Sequence, residues 1–96
     1  MKVFISMPMR GKTKEQIMQD FKNAELVIKR HHSNVQVINS YIGISDNPVF
    51  CLGEAIKLLS RADMCYFCEG WHKARGCKIE HLVCEEYGIK KEYYGS

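Results

Sequence analysis

The segment from Ser6 to Gly11, which reads Ser-Met-Pro-Met-Arg-Gly, has the residue types of an anion-binding loop. It follows a short apolar run and enters a segment with helical spacing, so its backbone N–H groups would lie at a helix N-terminus, which attracts negative charge. Arg10 offers a planar set of donors that matches a phosphate or carboxylate, and Gly11 allows close approach of the backbone. Met7 and Met9 complete this set of candidate substrate-binding residues. The alternative is an ordinary solvated turn with a surface arginine.

A second segment, at the start of the third predicted helix, reads Arg-Gly-Cys-Lys-Ile-Glu-His from Arg75. Glu80 is expected in the first turn, where the helix dipole would keep a carboxylate ionised and hence nucleophilic. Ile79 and Val83 should face the sheet, which would set Glu80 to one side of the buried face, toward the strand ends. We take Glu80 as a candidate catalytic residue, and Arg75 and Gly76 as candidate substrate-binding residues. The alternative, which spacing alone favours, is a surface glutamate that only complements the dipole.

The cysteines do not predict a metal site. Cys65 and Cys68 have C-x-x-C spacing, but they lie on or just after a predicted strand, where residues three apart point to opposite faces. Cys77 and Cys84 are seven residues apart on one helix, and the chain has no H-E-x-x-H motif and no second C-x-x-C motif. We therefore expect neither a metal nor a cofactor.

Hydrophobic periodicity predicts four strands that alternate with three helices. The strands are expected at Lys2–Ser6, Val35–Ile38, Met64–Phe67 and Ile89–Tyr93. The first helix is expected to follow a capping box formed by Thr13 and Gln16 and to end near His31 and His32. The other helices are expected at about Val49–Arg61 and Gly76–Tyr87, the last with its inward face formed by Ile79, Leu82, Val83 and Tyr87. Asn39–Pro48 is expected to be a loop.

This alternation predicts the α/β class, with a four-stranded parallel sheet covered by helices on both faces. Crossovers in such sheets are right-handed, and the flavodoxin-like strand order would be 2-1-3-4. We therefore expect a flavodoxin-like or Rossmann-like three-layer sandwich, in one domain spanning residues 1–96. In such sheets a ligand binds beyond the carboxyl ends of the strands, where the chain changes direction. The loops Ser6–Lys12 and Cys68–Gly76 should meet at that crevice.

Three aromatic residues are expected near the crevice, namely Phe4, Tyr41 and Trp71. A nucleobase or sugar commonly packs on such rings, so Tyr41 and Trp71 are candidate substrate-binding residues. Trp71 is the most suggestive, because it lies in a polar loop. The alternative is that its indole caps the end of the sheet as part of the core.

Composition narrows the class of protein. With 96 residues, 46% hydrophobic and 26% charged, the chain resembles an ordinary globular domain. No apolar run approaches the roughly 20 residues that span a bilayer, and the first residues lack a signal-peptide layout, so we expect no membrane association. The five cysteines are an odd number, which excludes a complete disulfide framework and favours the cytoplasm. The net charge of +3 comes from scattered Lys and Arg, which favours a small anionic ligand over a nucleic-acid polymer.

The two loops resemble those of a known family. Met9-Arg10-Gly11 after an apolar first strand, and Gly76 followed four residues later by Glu80, resemble the nucleoside 2-deoxyribosyltransferase superfamily. The closest functional relatives would be the 2'-deoxynucleoside 5'-phosphate N-hydrolases, whose first loop has a similar Ile-Arg-Gly and binds the 5'-phosphate. The resemblance covers nearly the whole chain, which looks most like a short, phage-type branch of the superfamily. It includes the runs Leu58-Leu59-Ser60-Arg61-Ala62-Asp63 and Gly70-Trp71.

The resemblance implies an enzyme that cleaves the N-glycosidic bond of a (deoxy)nucleoside 5'-monophosphate. Glu80 would attack the anomeric carbon, the base would depart, and water (in a hydrolase) or another base (in a transferase) would resolve the glycosyl-enzyme ester. Arg10 and the N–H groups near Gly11 would hold the phosphate. The family's strand-1 tyrosine, whose hydroxyl steadies the nucleophile, is replaced by Phe4. The family's second acid aligns with Ala55, so its neighbour Glu54 is the candidate second catalytic residue.

Family sites are commonly completed by a neighbouring subunit, so the resemblance also implies a homodimer. Two other classes of function stay open at the level of the sequence. One is a non-catalytic nucleotide-binding module, and the other is a small subunit of a larger assembly. The sequence does not select the base, ribose or 2'-deoxyribose, or hydrolysis or transfer.

Overall fold

The strands and helices alternate along the chain, as the hydrophobic pattern predicts. The computed structural model describes residues 1–41 and 46–95, so part of the predicted Asn39–Pro48 loop lies outside the described residues. The strands are β1 (Lys2–Ser6), β2 (Gln36–Ile38), β3 (Met64–Phe67) and β4 (Lys90–Tyr93). The helices are α1 (Lys14–His31), α2 (Pro48–Leu59) and α3 (Arg75–Tyr87), with a short 3-10 turn at Trp71–Lys73.

The sheet confirms the predicted topology. All strand pairs are parallel and the order is β2-β1-β3-β4, so β1 and β3 lie at the centre. The register pairs Ser6 with Phe67, which brings the carboxyl ends of the two central strands to the same level. This is the edge at which ligands bind in open parallel sheets.

Side-chain caps fix the start of two helices but not the third. The capping box that precedes α1 is confirmed, because Thr13 Oγ1 accepts from the N–H of Gln16 at 3.1 Å while Gln16 Oε1 accepts from the N–H of Thr13 at 2.8 Å. Asn47 caps α2 by accepting from the N–H of Phe50 at 3.0 Å. By contrast, α3 starts after Ala74, whose methyl group cannot cap it.

Two apolar clusters, one on each face of the sheet, make a three-layer structure. Successive residues of a strand point to opposite faces. On one face α1 packs through Ile17, Ala24 and Ile28 against Val3, Ile5, Met64 and Tyr66. On the other face α2 and α3 pack through Ala55, Leu59 and Cys84 against Phe4, Cys65 and Phe67. The same alternation puts the side chain of Ser6, two residues after Phe4, on the α2–α3 face.

The predicted inward face of α3 is wrong in three of its four positions. Ile79, Leu82 and Tyr87 are 37%, 55% and 79% exposed, and only Val83 packs against the core. The helix instead buries its small thiols and one carboxyl, from Cys77, Glu80 and Cys84. A search for large apolar residues overlooks a buried face made of thiols and a carboxyl.

Of the described residues, none belongs to a helix long and apolar enough to cross a membrane.

Truncating a buried leucine of α2 should destabilise the protein more than truncating an exposed leucine of α3. Leu59 is fully buried between α2 and the sheet, so Leu59→Ala should lower the free energy of unfolding by about 2–5 kcal/mol. Leu82→Ala should cost less than about 1 kcal/mol because that side chain contacts mainly solvent. Urea denaturation of both variants measures the difference, and equal losses would contradict the orientation of α3.

Candidate active site

A cavity of about 490 Å³ lies beyond the carboxyl end of β1, between α2 and α3. Its volume lies within the range of roughly 300–1,000 Å³ that is typical of small-molecule sites. Most of its lining is apolar and comes from β1 and the loop after it, from α2, and from the first half of α3. The apolar side chains are those of Phe4, Ile5, Met7, Met9, Leu52 and Ile79 among others.

Glu80 is the only carboxylate that lines the cavity among the residues that the structure describes. Its side chain is buried, with 7% of the residue exposed. Ser6 Oγ donates a hydrogen bond of 2.6 Å to Glu80 Oε1, and Ser6 is itself only 1% exposed. The last residue of a central strand and the buried face of α3 are thus joined by a short polar contact to a carboxyl that lines the cavity.

Three expectations about Glu80 are wrong. The helix begins at Arg75, so Glu80 falls in the second turn, whereas the attraction of the helix dipole is largely confined to the first. The carboxylate is also not held ionised: burial raises its pKa from 4.5 to about 7, and the hydrogen bond from Ser6 offsets only part of that rise. Glu80 lies in the middle of the buried face rather than to one side of it.

The positive charge at the cavity comes from Arg75, which lines it together with Gly76. Both residues belong to the first turn of α3, whose N-terminus has no side-chain cap. Glycine adds no side chain there, and no atom lies within 4 Å of the place where a Cβ would stand. This end of the cavity therefore combines a cation with a helix N-terminus, a combination that suits an anionic group.

The predicted anion loop contributes less than expected. Met7 and Met9 line the cavity, but the exposed Arg10 and Gly11 do not. Gly11 has a φ of +80°, so its role here is to make the left-handed turn that leads into α1. Lys12 is paired with Asp20 at 2.8 Å, on the far side of the loop.

Three more candidates lie outside the cavity. Ala55 faces the cavity, so its neighbour Glu54 points elsewhere and forms an ion pair of 3.2 Å with Lys57. Tyr41 packs against the cluster on the α1 side of the sheet. Trp71 is half-buried and packs against the cluster on the α2–α3 side, with its ring centroid 4.3 Å from that of His81 in a stacked arrangement.

Sequence reasoning missed the contact between Ser6 and Glu80 and the contribution of α2 to the cavity. The contact between Ser6 and Glu80 could have been anticipated from the period of two along β1, which assigns Ser6 to the face that α3 covers. For the second, Leu52 and Ala55 are three residues apart, which is the spacing of one helix face. Ser40, which follows β2, also lines the cavity and donates a 2.9 Å bond to the carbonyl of Ile5.

The burial of Glu80 makes protein stability depend on pH. Because its pKa is about 7 in the folded protein and 4.5 when unperturbed, the folded state binds this proton more tightly. The resulting stabilisation is complete below pH 4.5 and is lost as the pH rises through about 7. Relative to Glu80→Gln, the parent protein should lose on the order of 2–3 kcal/mol of unfolding free energy between about pH 5 and pH 8. Urea denaturation at each pH measures this, and Glu54→Gln should retain the parent's dependence.

The comparisons gave no relative: protein-family models, curated proteins and solved structures all returned no match. Among residues 1–41 and 46–95, no group of three or more His, Cys, Asp or Glu side chains could hold a metal ion. Glu80 and Arg75 line the cavity with a carboxyl and a guanidinium, and Ser6 supplies the hydroxyl that donates to Glu80.

Proposed function

We propose that the protein is a nucleotide N-glycosidase, or a related 2-deoxyribosyltransferase, that acts on a (deoxy)nucleoside 5'-monophosphate. The observation that carries this proposal is a buried glutamate, hydrogen-bonded through one oxygen, that lines an apolar cavity together with an arginine from the first turn of the same helix. The resemblance of the loops around Arg10 and Glu80 to the nucleoside 2-deoxyribosyltransferase superfamily supports the same activity.

Glu80 is the nucleophile in this proposal. Because Ser6 occupies Oε1, the other oxygen, Oε2, is the one that attacks the anomeric carbon. As the Oε2–C1' bond forms, the C1'–N bond breaks, and its electron pair leaves with the base, which takes a proton from solvent. Water or a second base then attacks C1' and loses a proton to solvent, the ester bond breaks, and the carboxylate is restored. Two displacements of this kind pass through oxocarbenium-like transition states, as in retaining glycosidases.

The walls of the cavity suit the uncharged parts of a nucleotide. Phe4, Met7 and Ile79 provide apolar surface against which a base and a sugar pack. Arg75 and the uncapped N-terminus of α3 bind the phosphate, so that binding energy from a non-reacting group orients the sugar over Glu80.

The reaction should depend on pH through Glu80. A nucleophilic carboxylate works only when ionised, so kcat/KM for base release should rise with pH through about 7 and level off above it. If Glu80 acted as a general acid, the profile would fall over the same range. A panel of nucleoside and deoxynucleoside 5'-monophosphates, with free base measured by chromatography, tests this. Glu80→Gln should abolish release, and Glu54→Gln, outside the cavity, should not.

Arginine substitutions should identify the phosphate anchor. Arg75→Ala should raise KM for a monophosphate by roughly tenfold to a hundredfold, the effect of losing hydrogen bonds to a charged group. It should change KM for the corresponding nucleoside far less. Lys73→Ala, which removes the same charge from an exposed position outside the cavity lining, is the matched control. A selective effect of Arg10→Ala with none from Arg75→Ala would instead assign the anchor to the loop after β1.

A non-catalytic nucleotide-binding module is the second candidate. The observation that favours it is that no second carboxylate lines the cavity among the described residues, since Glu54 is paired elsewhere. The same panel of monophosphates distinguishes the two functions. A binding module would show saturable binding and a raised melting temperature with a nucleotide but no release of base.

A further inference from the structure

Ser6 lies between two side chains of α3. Its hydroxyl donates to Glu80 Oε1 at 2.6 Å, and it also interacts with the thiol of Cys77. Cys77 and Glu80 are three residues apart on the buried face of the helix, so both face the last residue of β1. All three residues are at least nine-tenths buried, with exposures of 1%, 4% and 7% for Ser6, Cys77 and Glu80.

A serine hydroxyl at this position can satisfy both charge states of the carboxyl. It has one proton to donate and two lone pairs to accept with. When Glu80 is ionised, the proton of Ser6 is donated to Oε1. When Glu80 is protonated, the carboxyl can donate to Ser6 Oγ, and the proton of Ser6 is then available to the Cys77 sulfur, which is a weak acceptor. Neither state leaves a buried polar atom without a partner, which would be costly in this environment.

We propose that Ser6 is a positioning residue that alternates between two hydrogen-bond partners, Glu80 and Cys77, as the carboxyl of Glu80 changes between its charged and neutral forms. This rests on the proposed function in taking Glu80 as the reacting group. In the proposed reaction Oε2 forms the ester bond, so Oε1 becomes a carbonyl oxygen that carries no proton and still accepts from Ser6. The exchange of partners therefore belongs to the free enzyme: Ser6 donates to Oε1 while the carboxyl is ionised and turns toward the sulfur when the carboxyl is protonated.

The electrostatics around the three residues are consistent with this role. Burial raises the pKa of the Cys77 thiol to about 11, so the thiol stays neutral and serves as a partner rather than as a second anion. The other titratable side chains that face Glu80 among the described residues are Arg75 and Cys84 on α3, Cys65 on β3 and Cys51 on α2. Cys65 and Cys84 hydrogen-bond to each other, so Ser6 is the partner of Glu80.

A titration of the Glu80 side-chain carboxyl by carbon-13 NMR tests the proposal on the ligand-free protein, with Glu80→Gln to assign the resonance. Ser6→Ala removes the donor to the charged form, so the pKa of Glu80 should rise from about 7 to roughly 8 or above. Ser6→Cys, a weaker donor, should give an intermediate value. An unchanged pKa in Ser6→Ala would overturn the proposal.

Substitutions of Cys77 should act in the opposite direction. Cys77→Val fills the space but removes the acceptor that the neutral form uses, so the pKa of Glu80 should fall by roughly half a pH unit. Cys77→Ser keeps an acceptor and should stay close to the parent value. If Cys77→Ala lowers the pKa and Cys77→Val does not, water in the vacated space is the cause and the exchange of partners is refuted.

These titrations are independent of turnover. Opposite shifts from Ser6 and Cys77 in a protein that releases no base would support the exchange of partners and refute the proposed activity. If base is released and the midpoint of the pH profile is the same in the parent and in Ser6→Ala, the proposed activity is supported and the exchange of partners is refuted. Dispersed proton–nitrogen spectra of each variant establish that it is folded before it is titrated.

Discussion

The hydrogen bond between Ser6 and Glu80 is the contact on which the rest of the site depends. It joins the central strand β1 to α3 at the level where the sheet ends, and both partners are buried. A carboxyl removed from water is costly unless it is neutral or hydrogen-bonded. Glu80 is stabilised in both ways, because its pKa lies near neutrality and because its Oε1 has a donor. The cavity therefore presents a carboxyl that can be charged or neutral within the physiological range of pH.

The architecture was open to prediction because its signals are local and repeated. Single elements are marked by short local patterns, such as the apolar run Met64–Phe67, the capping box at Thr13 and the glycine that ends α3. Because these elements alternate between strand and helix, few topologies remain. The boundaries of α2 and α3 differ from the prediction by one or two residues, as expected where helix ends are set by caps that the pattern does not display. The order of the strands was predicted by combining right-handed crossovers with the flavodoxin-like arrangement, and the structure has that order.

The site was only partly predictable, because it depends on which face of each helix meets the sheet. Large apolar side chains suggested that Ile79 and Leu82 were inward, but α3 buries the smaller Cys77 and Cys84 together with Glu80. The same rotation moved Glu80 from the rim of the sheet to its buried face. In α2 the orientation moves a carboxylate away from the site, because Ala55 rather than Glu54 faces the cavity. The spacing of Leu52 and Ala55 indicates one face of α2, but which face of each helix meets the sheet also depends on how side chains of different size fit against it.

Strand β1 has a further consequence for how the site responds to heat. It is hydrogen-bonded to β2 on one side and to β3 on the other, and the carbonyl of Ser6 accepts from the N–H of Cys68 at 2.9 Å. A residue held in this way opens only when a large cooperative unit opens, unlike one on a surface loop. The geometry around the carboxyl should persist almost to the melting temperature and then vanish together with the sheet, rather than loosening gradually over the preceding degrees.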